Sequence, residues 1–225
     1  MQRCSSAMPE LYIQNLNTEM PGHEEAAGTR ERLRACFPAG ASRRMTQLGM
    51  LVGSVLGPLN PSQEDTLIYA SAFGESRSLE AYLDSFPTAS PTLFQTSIHP
   101  SGAQQVLIGR QLSVRRFFPL SGRHQLVAQA LVCASVAGEG RVLFCGGEER
   151  GSWLRECGVA SDSSFAFATE LTQARGGATL GRVRLERAAT AGEALTLEAW
   201  CALLKERKAW AGSLGAGWRL SLEWF

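Results

Sequence analysis

The stretch from Arg115 to Cys145 limits what this chain can fold into more than any other. Arg115 to Leu120 is strand-like and turns at Ser121-Gly122 directly into a helix of about four turns, Arg123 to Ala137. Leu126, Val127, Ala130, Leu131, Val132, Cys133, Ala134 and Val136 fall all around that helix rather than on one stripe. A helix that is apolar all round is buried on every side or lies in a membrane, and this one is too short to span a bilayer. It is therefore expected at the centre of a layered α/β domain, with Val142 to Cys145 as the next buried strand.

With 225 residues, 44% of them hydrophobic and 19% charged, the chain has enough material for a substantial core. The net charge of +1 argues against a general nucleic-acid binder, which needs a concentrated basic footprint. The pairs Arg43-Arg44 and Arg115-Arg116 are too small to provide one. No apolar run is long enough for a transmembrane helix, and MQRCSSAMPE at the start has no apolar core of a secretion signal. Cys4, Cys36, Cys133, Cys145, Cys157 and Cys201 show no CxxC pairing and no histidines at zinc-ligand spacing. Reduced core thiols, a cytoplasmic location, no metal and no cofactor are the expectations, with neither nucleic acid nor membrane as a partner.

In chain order, Leu11–Gln14 reads as a short strand and Thr18 to Ala41 as a loop with a helical turn near Thr29–Cys36. Arg43 to Gly57 is expected to be helical, because Met45, Leu48, Leu51 and Val52 recur at helical spacing. Asp65–Ala72 is a continuous apolar strand of the kind buried on both faces, and Leu79–Phe86 is a helix. Ser90-Pro91 marks a loop, and Gly102–Leu112 is a helix. Beyond the central unit come a loop carrying Trp153 and Cys157, two strands in SSFAFATEL and GGATLGRVRLERA, a helix at Leu195–Lys208, and an alternating strand at Trp218–Phe225. Strands alternating with helices predict a mainly parallel or mixed sheet.

The order of pieces from Ser71 onward resembles a known family. Ser71-Ala72-Phe73-Gly74-Glu75, then SLEAYLDSF, then Ser90-Pro91-Thr92-Leu93-Phe94-Gln95-Thr96-Ser97-Ile98-His99, then the strand-turn-helix and VLFCGGEE, are similar to the amino-terminal half of β-ketoacyl synthases. They are most similar to the short synthase-like proteins of aryl-polyene and related pigment gene clusters. The resemblance covers roughly Leu11 to Leu171. It implies a layered, thiolase-like half fold, a mixed sheet with a central buried helix, with 1–171 as the synthase-like domain. Residues 172–225 are expected to pack on it as a strand-helix-strand extension, Leu195, Leu197, Trp200, Leu203 and Leu204 supplying its apolar face. Failing that cover, a partner must meet the apolar patch.

A β-ketoacyl synthase carries its nucleophilic cysteine where the strand turns into the buried helix, whose N-terminus lowers the thiol pKa. Here that turn reads Pro119-Leu120-Ser121-Gly122-Arg123-His124 and has no cysteine, and Cys133 lies too deep in the helix. The family's two active-site histidines belong to a carboxy-terminal half that this sequence does not contain. The expectation is thus a subunit without condensing activity, similar to chain-length factors. It would pair with a full-length β-ketoacyl synthase as a heterodimer, shape the acyl tunnel in polyene, fatty-acyl or polyketide elongation, and meet acyl carrier protein only indirectly. By resemblance, the pairing strand is Arg115, Arg116, Phe117, Phe118, Pro119 and Leu120, with Pro119 lacking an N–H for regular pairing.

Three residues are weak catalytic candidates. Ser121, followed by Gly122 and His124, resembles a nucleophile elbow, but Pro119 stands where G-x-S-x-G needs its first glycine; capping the helix is the leading reading of Ser121. His124, one turn into the helix, reads as a packed histidine, and His99 as a structural hydrogen-bonding group. Gly146-Gly147 lacks the lysine of a phosphate loop, and Glu148-Glu149 reads as a solvated pair. Two rival functions stand beside the first: a small acyl-transferase or thioester hydrolase using Ser121 and His124, and a homodimeric scaffold.

Overall fold

The structure, a computed structural model, describes residues 8–38, 40–188, 192–215 and 217–225, without the side chain of Arg44; Cys4 lies outside them. Its strands are β1 (Leu11–Gly22), β2 (Thr66–Ser71), β3 (Arg116–Ser121), β4 (Val142–Glu148), β5 (Ser164–Thr172), β6 (Gly181–Arg187), β7 (Trp210–Gly215) and β8 (Trp218–Trp224). Its helices are α1 (Ala26–Leu33), α2 (Gln47–Leu56), α3 (Ser76–Asp84), α4 (Pro91–Ser97), α5 (Ser101–Gly109), α6 (Leu126–Val136), α7 (Trp153–Glu156) and α8 (Leu197–Glu206). The strands form one sheet in the order β3-β2-β4-β5-β1-β6-β8-β7. β3, β2 and β4 run parallel, and every later pairing is antiparallel.

Alternation along the central strands divides the core in two. Leu67 and Tyr69 of β2, Leu143 and Cys145 of β4, and Ala166 and Ala168 of β5 face α2 and α5, where Leu48, Leu51, Val52, Val55, Ala103 and Val106 meet them. Ile68, Ala70, Phe144, Phe165 and Phe167 take the other face and bury α6 and α8. The same cluster includes Val183 and Leu185 of β6, Leu214 of β7, and Trp218, Leu220 and Leu222 of β8. The sheet therefore curls around the two helices. The link between its halves is short, since β1 pairs with β6 only over Leu11–Ile13.

The apolar wrap of α6 is explained by this enclosure. Leu126, Val127, Ala128, Ala130, Leu131 and Ala134 are buried, and only Gln129 and Val136 reach solvent fully. Leu197, Trp200, Leu203 and Leu204 are buried in the same cluster, with Leu195 packed against it, so the residues beyond Leu171 cover the helix. Trp200 is fully buried, its ring stacked 6.4 Å from that of Phe144.

Several local expectations change. β1 continues to Gly22 rather than ending near Gln14, because its backbone pairs with β5 as far as Ser164. Past Ile13 it has no partner on its other edge, which permits the polar side chains that disguise it. α4 replaces an expected loop: Ser90 accepts the Leu93 N–H at 3.3 Å and Pro91 begins the helix. α2 starts at Gln47, with Thr46 accepting the Gly49 N–H, so Arg43 and Arg44 stand outside it. α6 starts at Leu126, three residues later than expected. β7, short and rich in small residues, pairs with β8 where no strand was expected.

Candidate functional site

In sheets with parallel strands, ligands gather at the carboxyl ends of those strands. Here β3, β2 and β4 end together: Ser71 is in register with Ser121, and Glu148 closes β4 beside the end of β2. The β3–α6 turn leaves this end through Gly122 at φ 142° and Gln125 at φ 65°. A left-handed conformation is uncommon for a non-glycine residue, so the turn at Gln125 is held by its surroundings.

Four buried carboxyl groups gather around the β2–α3 connection and the end of β4. Glu148 accepts the backbone N–H groups of Ala72 and Phe73 and, at 3.0 Å, the hydroxyl of Ser71. Glu149 accepts the N–H of Leu48 at 3.0 Å and of Arg77 at 2.9 Å, joining the N-termini of α2 and α3. Glu75 accepts the Gly102 N–H at 2.6 Å, at the start of α5. Glu80 accepts from Ser152 and Leu154 at the start of α7. A helix N-terminus presents unpaired N–H groups and a partial positive charge, which an acidic side chain satisfies. Burial nevertheless raises Glu148 to about 8 and Glu75 and Glu149 to about 7, because the hydrogen bonds offset only part of the desolvation.

The expectation of a solvated Glu148-Glu149 pair is thereby corrected. Both are buried: Glu148 accepts from the end of β2 and the turn after it, and Glu149 accepts from the starts of α2 and α3. Glu75 was read only as the last residue of the Ser71–Glu75 motif, without a role, and Glu80 was not singled out. The available signal for Glu75 and Glu148 was an acidic residue directly before a helix or at the end of a wholly apolar strand; Glu80, inside α3, carries no such signal.

Ser121 is exposed at the end of β3, and the N-cap position of α6 belongs to Gln125, with no side-chain cap. The capping role expected of Ser121 is corrected accordingly: the helix begins too far along the chain for its hydroxyl. His124 is exposed in the turn, outside the helix, rather than packed. Among the described residues no hydrogen bond joins Ser121 to His124. The His99 ring is stacked on Tyr69 with centroids 5.0 Å apart. Neither of its nitrogens meets strict hydrogen-bond geometry, and the Leu120 backbone is the polar group beside the ring. Burial lowers its pKa, opposed in part by the nearby Leu120 backbone.

β3 is an edge strand, paired to β2 alone. Arg115, Arg116, Phe118 and Pro119 are exposed, and Phe117 and Leu120 are half-buried. Arg116 donates to the Ala137 carbonyl at 2.8 Å, closing the far end of α6. Cys133 is half-buried within α6, and desolvation raises its thiol pKa, the reverse of what a nucleophile needs. Among the described residues no group of three or more side chains is arranged to hold a metal, and no helix is long and apolar enough to cross a membrane.

No family model and no curated protein matches this chain. Solved structures do. A ketosynthase in complex with its chain length factor from Xenorhabdus doucetiae aligns over 95% of this chain and 98% of the matched chain, with a TM-score of 0.59 and 18% identity. The ishigamide ketosynthase/chain length factor aligns over 80% and 68%, with a TM-score of 0.56 and 12% identity. At these identities the likeness concerns the fold: the chain has a mixed α/β, thiolase-like architecture.

Proposed function

We propose that this chain is a β-ketoacyl-synthase-like subunit of the chain-length-factor type, without condensing activity of its own, that pairs with an active ketosynthase. The observation that carries the proposal is the β3–α6 turn. The fold builds a buried helix behind a strand-turn, yet that turn, Pro119 to Gln125, contains no cysteine. The nearest thiol, Cys133, sits within the helix with a raised pKa. Support also comes from the two structural neighbours, both described as ketosynthase with chain length factor, and from the near-equal lengths over which the first aligns.

The pairing surface in this reading is the open edge of β3, with Arg115, Arg116, Phe117, Phe118, Pro119 and Leu120. Such an edge presents unpaired backbone groups that another strand can meet, and Phe118 adds an exposed apolar side chain. Exposed Leu83, Phe86, Phe94 and Ile98 on and beside α3 and α4 offer further apolar area. The partner supplies the nucleophile and its bases, this subunit shapes the acyl tunnel, and acyl carrier protein delivers substrate to the partner. Polyene or related acyl elongation in the cytoplasm is the proposed setting, and residues 1–171 with 172–225 act as one unit in it.

The test is co-purification of the tagged chain from its native host followed by mass spectrometry. Near-equal recovery of a ketosynthase is the expected result. Condensation of acyl and malonyl thioesters by the purified chain alone would overturn the proposal.

A further inference from the structure

His99 sits at the α4–α5 junction, and three elements pack on its ring. The ring lies on Tyr69 of β2 with the two planes 15° from parallel. Its Nδ1 stands 3.9 Å from Oε2 of Glu75, whose side chain is wholly buried in the turn between β2 and α3. Gly74 of the same turn packs closely on it: a Cβ there would meet His99 Cβ at 3.5 Å and Nδ1 at 3.8 Å. The Leu120 backbone, near the end of β3, lies beside the ring and favours its cation, as a carbonyl acceptor does. Both ring nitrogens are shut off from solvent.

One imidazole thus faces a carboxyl group on one side and a backbone carbonyl on another. A neutral imidazole has a single N–H and can donate to only one of them. Both are served when Glu75 and His99 together hold one further proton. Either Glu75 carries it and donates to Nδ1 while the Nε2 N–H donates to Leu120, or the imidazolium donates to both. We propose that Glu75 and His99 share this proton as a clasp that fastens the β2–α3 turn and the α4–α5 junction to the end of β3. Closing 3.9 Å to a hydrogen bond takes a shift of about 1 Å. When the proton leaves, a carboxylate faces a neutral ring, and either the Glu75 contact or the Leu120 contact is lost.

The other ionisable groups around the pair are already engaged. Glu75 Oε1 accepts the Gly102 N–H, which leaves Oε2 for His99. Tyr69 and Cys145 stay protonated, since burial raises both. Glu148 and Glu149, from the end of β4, accept backbone N–H groups, and Glu149 acts on Glu75 only as a like charge. Glu80 holds the start of α7, Arg77 bears on Glu149, and Arg123 lies over the Phe73 ring. Burial raises Glu75 to about 7 and lowers His99, so the pair as a unit releases its proton near neutral pH. Nothing in the clasp requires the proposed pairing with a ketosynthase.

The experiment is an NMR titration of the full chain across neutral pH. It follows the ring nitrogens of the three histidines, the Glu75 carboxyl carbon and the Leu120 carbonyl carbon, with His99 assigned through His99→Gln. In the parent protein, His99, Glu75 and Leu120 are expected to move in one common step near pH 7. In Glu75→Gln that step disappears from Leu120, and the ring titrates lower by about one pH unit or more, the effect of losing an adjacent carboxylate. Separate steps for His99 and Glu75 in the parent, a Leu120 carbonyl that does not respond, or an unchanged His99 step in Glu75→Gln overturns the clasp. Should Glu75→Gln fail to fold, His99→Gln decides: loss of the Leu120 response supports the clasp, and its persistence overturns it.

Discussion

Ser71 closes β2 and Glu148 closes the adjacent parallel strand β4, and the Ser71 hydroxyl donates to the Glu148 carboxylate at 3.0 Å. The same hydroxyl accepts the Gly74 N–H at 2.9 Å, so one pair of side chains fixes the whole turn from β2 into α3. Removing the acceptor leaves the half-buried Ala72 and Phe73 N–H groups without their partner. Glu148→Ala is expected to lower unfolding free energy by about 3 kcal/mol, since a donor left without its acceptor costs roughly 1–3 kcal/mol and two N–H groups and a hydroxyl lose theirs. Glu148→Gln, which keeps one acceptor oxygen, loses less. Urea denaturation monitored by circular dichroism checks both, and a loss under about 1 kcal/mol for the alanine variant would remove the structural role argued for Glu148.

The carboxylate tier sets a pH dependence. In the unfolded chain these groups titrate near 4.5, whereas burial raises Glu75 and Glu149 to about 7 and Glu148 to about 8. Between those limits the folded state holds more protons than the unfolded one, so stability falls as pH rises from about 4.5 to 8. Thermal melts across that window are expected to show a declining Tm, with a shallower decline in Glu148→Gln. A Tm that rises steadily across the window contradicts this.

Trp200 is the side chain on which α8, β4 and β5 converge, and it is fully buried. Trp200→Ala leaves a large cavity and is expected to cost about 3–5 kcal/mol. Chemical denaturation reads the loss directly; an effect under about 1 kcal/mol means the site collapses around the smaller residue.

Phe118 separates folding from association. It is 38% exposed on the open edge of β3. Phe118→Asp is expected to stay within about 0.5 kcal/mol of the parent in stability, as exposed substitutions do. In the proposed heterodimer it weakens pairing by about tenfold or more, since a burial of this kind contributes at least about 1.4 kcal/mol. Calorimetric titration with the co-purified ketosynthase measures it, and unchanged affinity removes β3 from the interface.

Ser121 and His124 are both exposed, with no hydrogen bond between them. Ser121→Ala is therefore expected to leave any turnover of a chromogenic ester unchanged, as assayed by burst kinetics. Abolition of a burst would revive the hydrolase reading.

Amino-acid order alone determined the central elements. The continuous apolar runs at Leu67–Ala70 and Val142–Cys145 and the all-round apolar character of Leu126–Val136 can be satisfied only by burial on every side. Local periodicity therefore identified β2, β4 and α6, and the missing cysteine at the β3–α6 turn was equally legible. Tertiary structure decided what local pattern does not encode. Asn15 to Gly22 belongs to a strand because β5 offers it a backbone ladder, although its side chains alternate poorly. Glu149, Glu75 and Glu80 look like ordinary surface acids until α2, α3, α5 and α7 bring their N-termini to them, and Glu148 until the β2–α3 turn wraps it. A charged side chain is soluble by default, and only the convergence of helix ends from distant parts of the chain makes its burial tolerable.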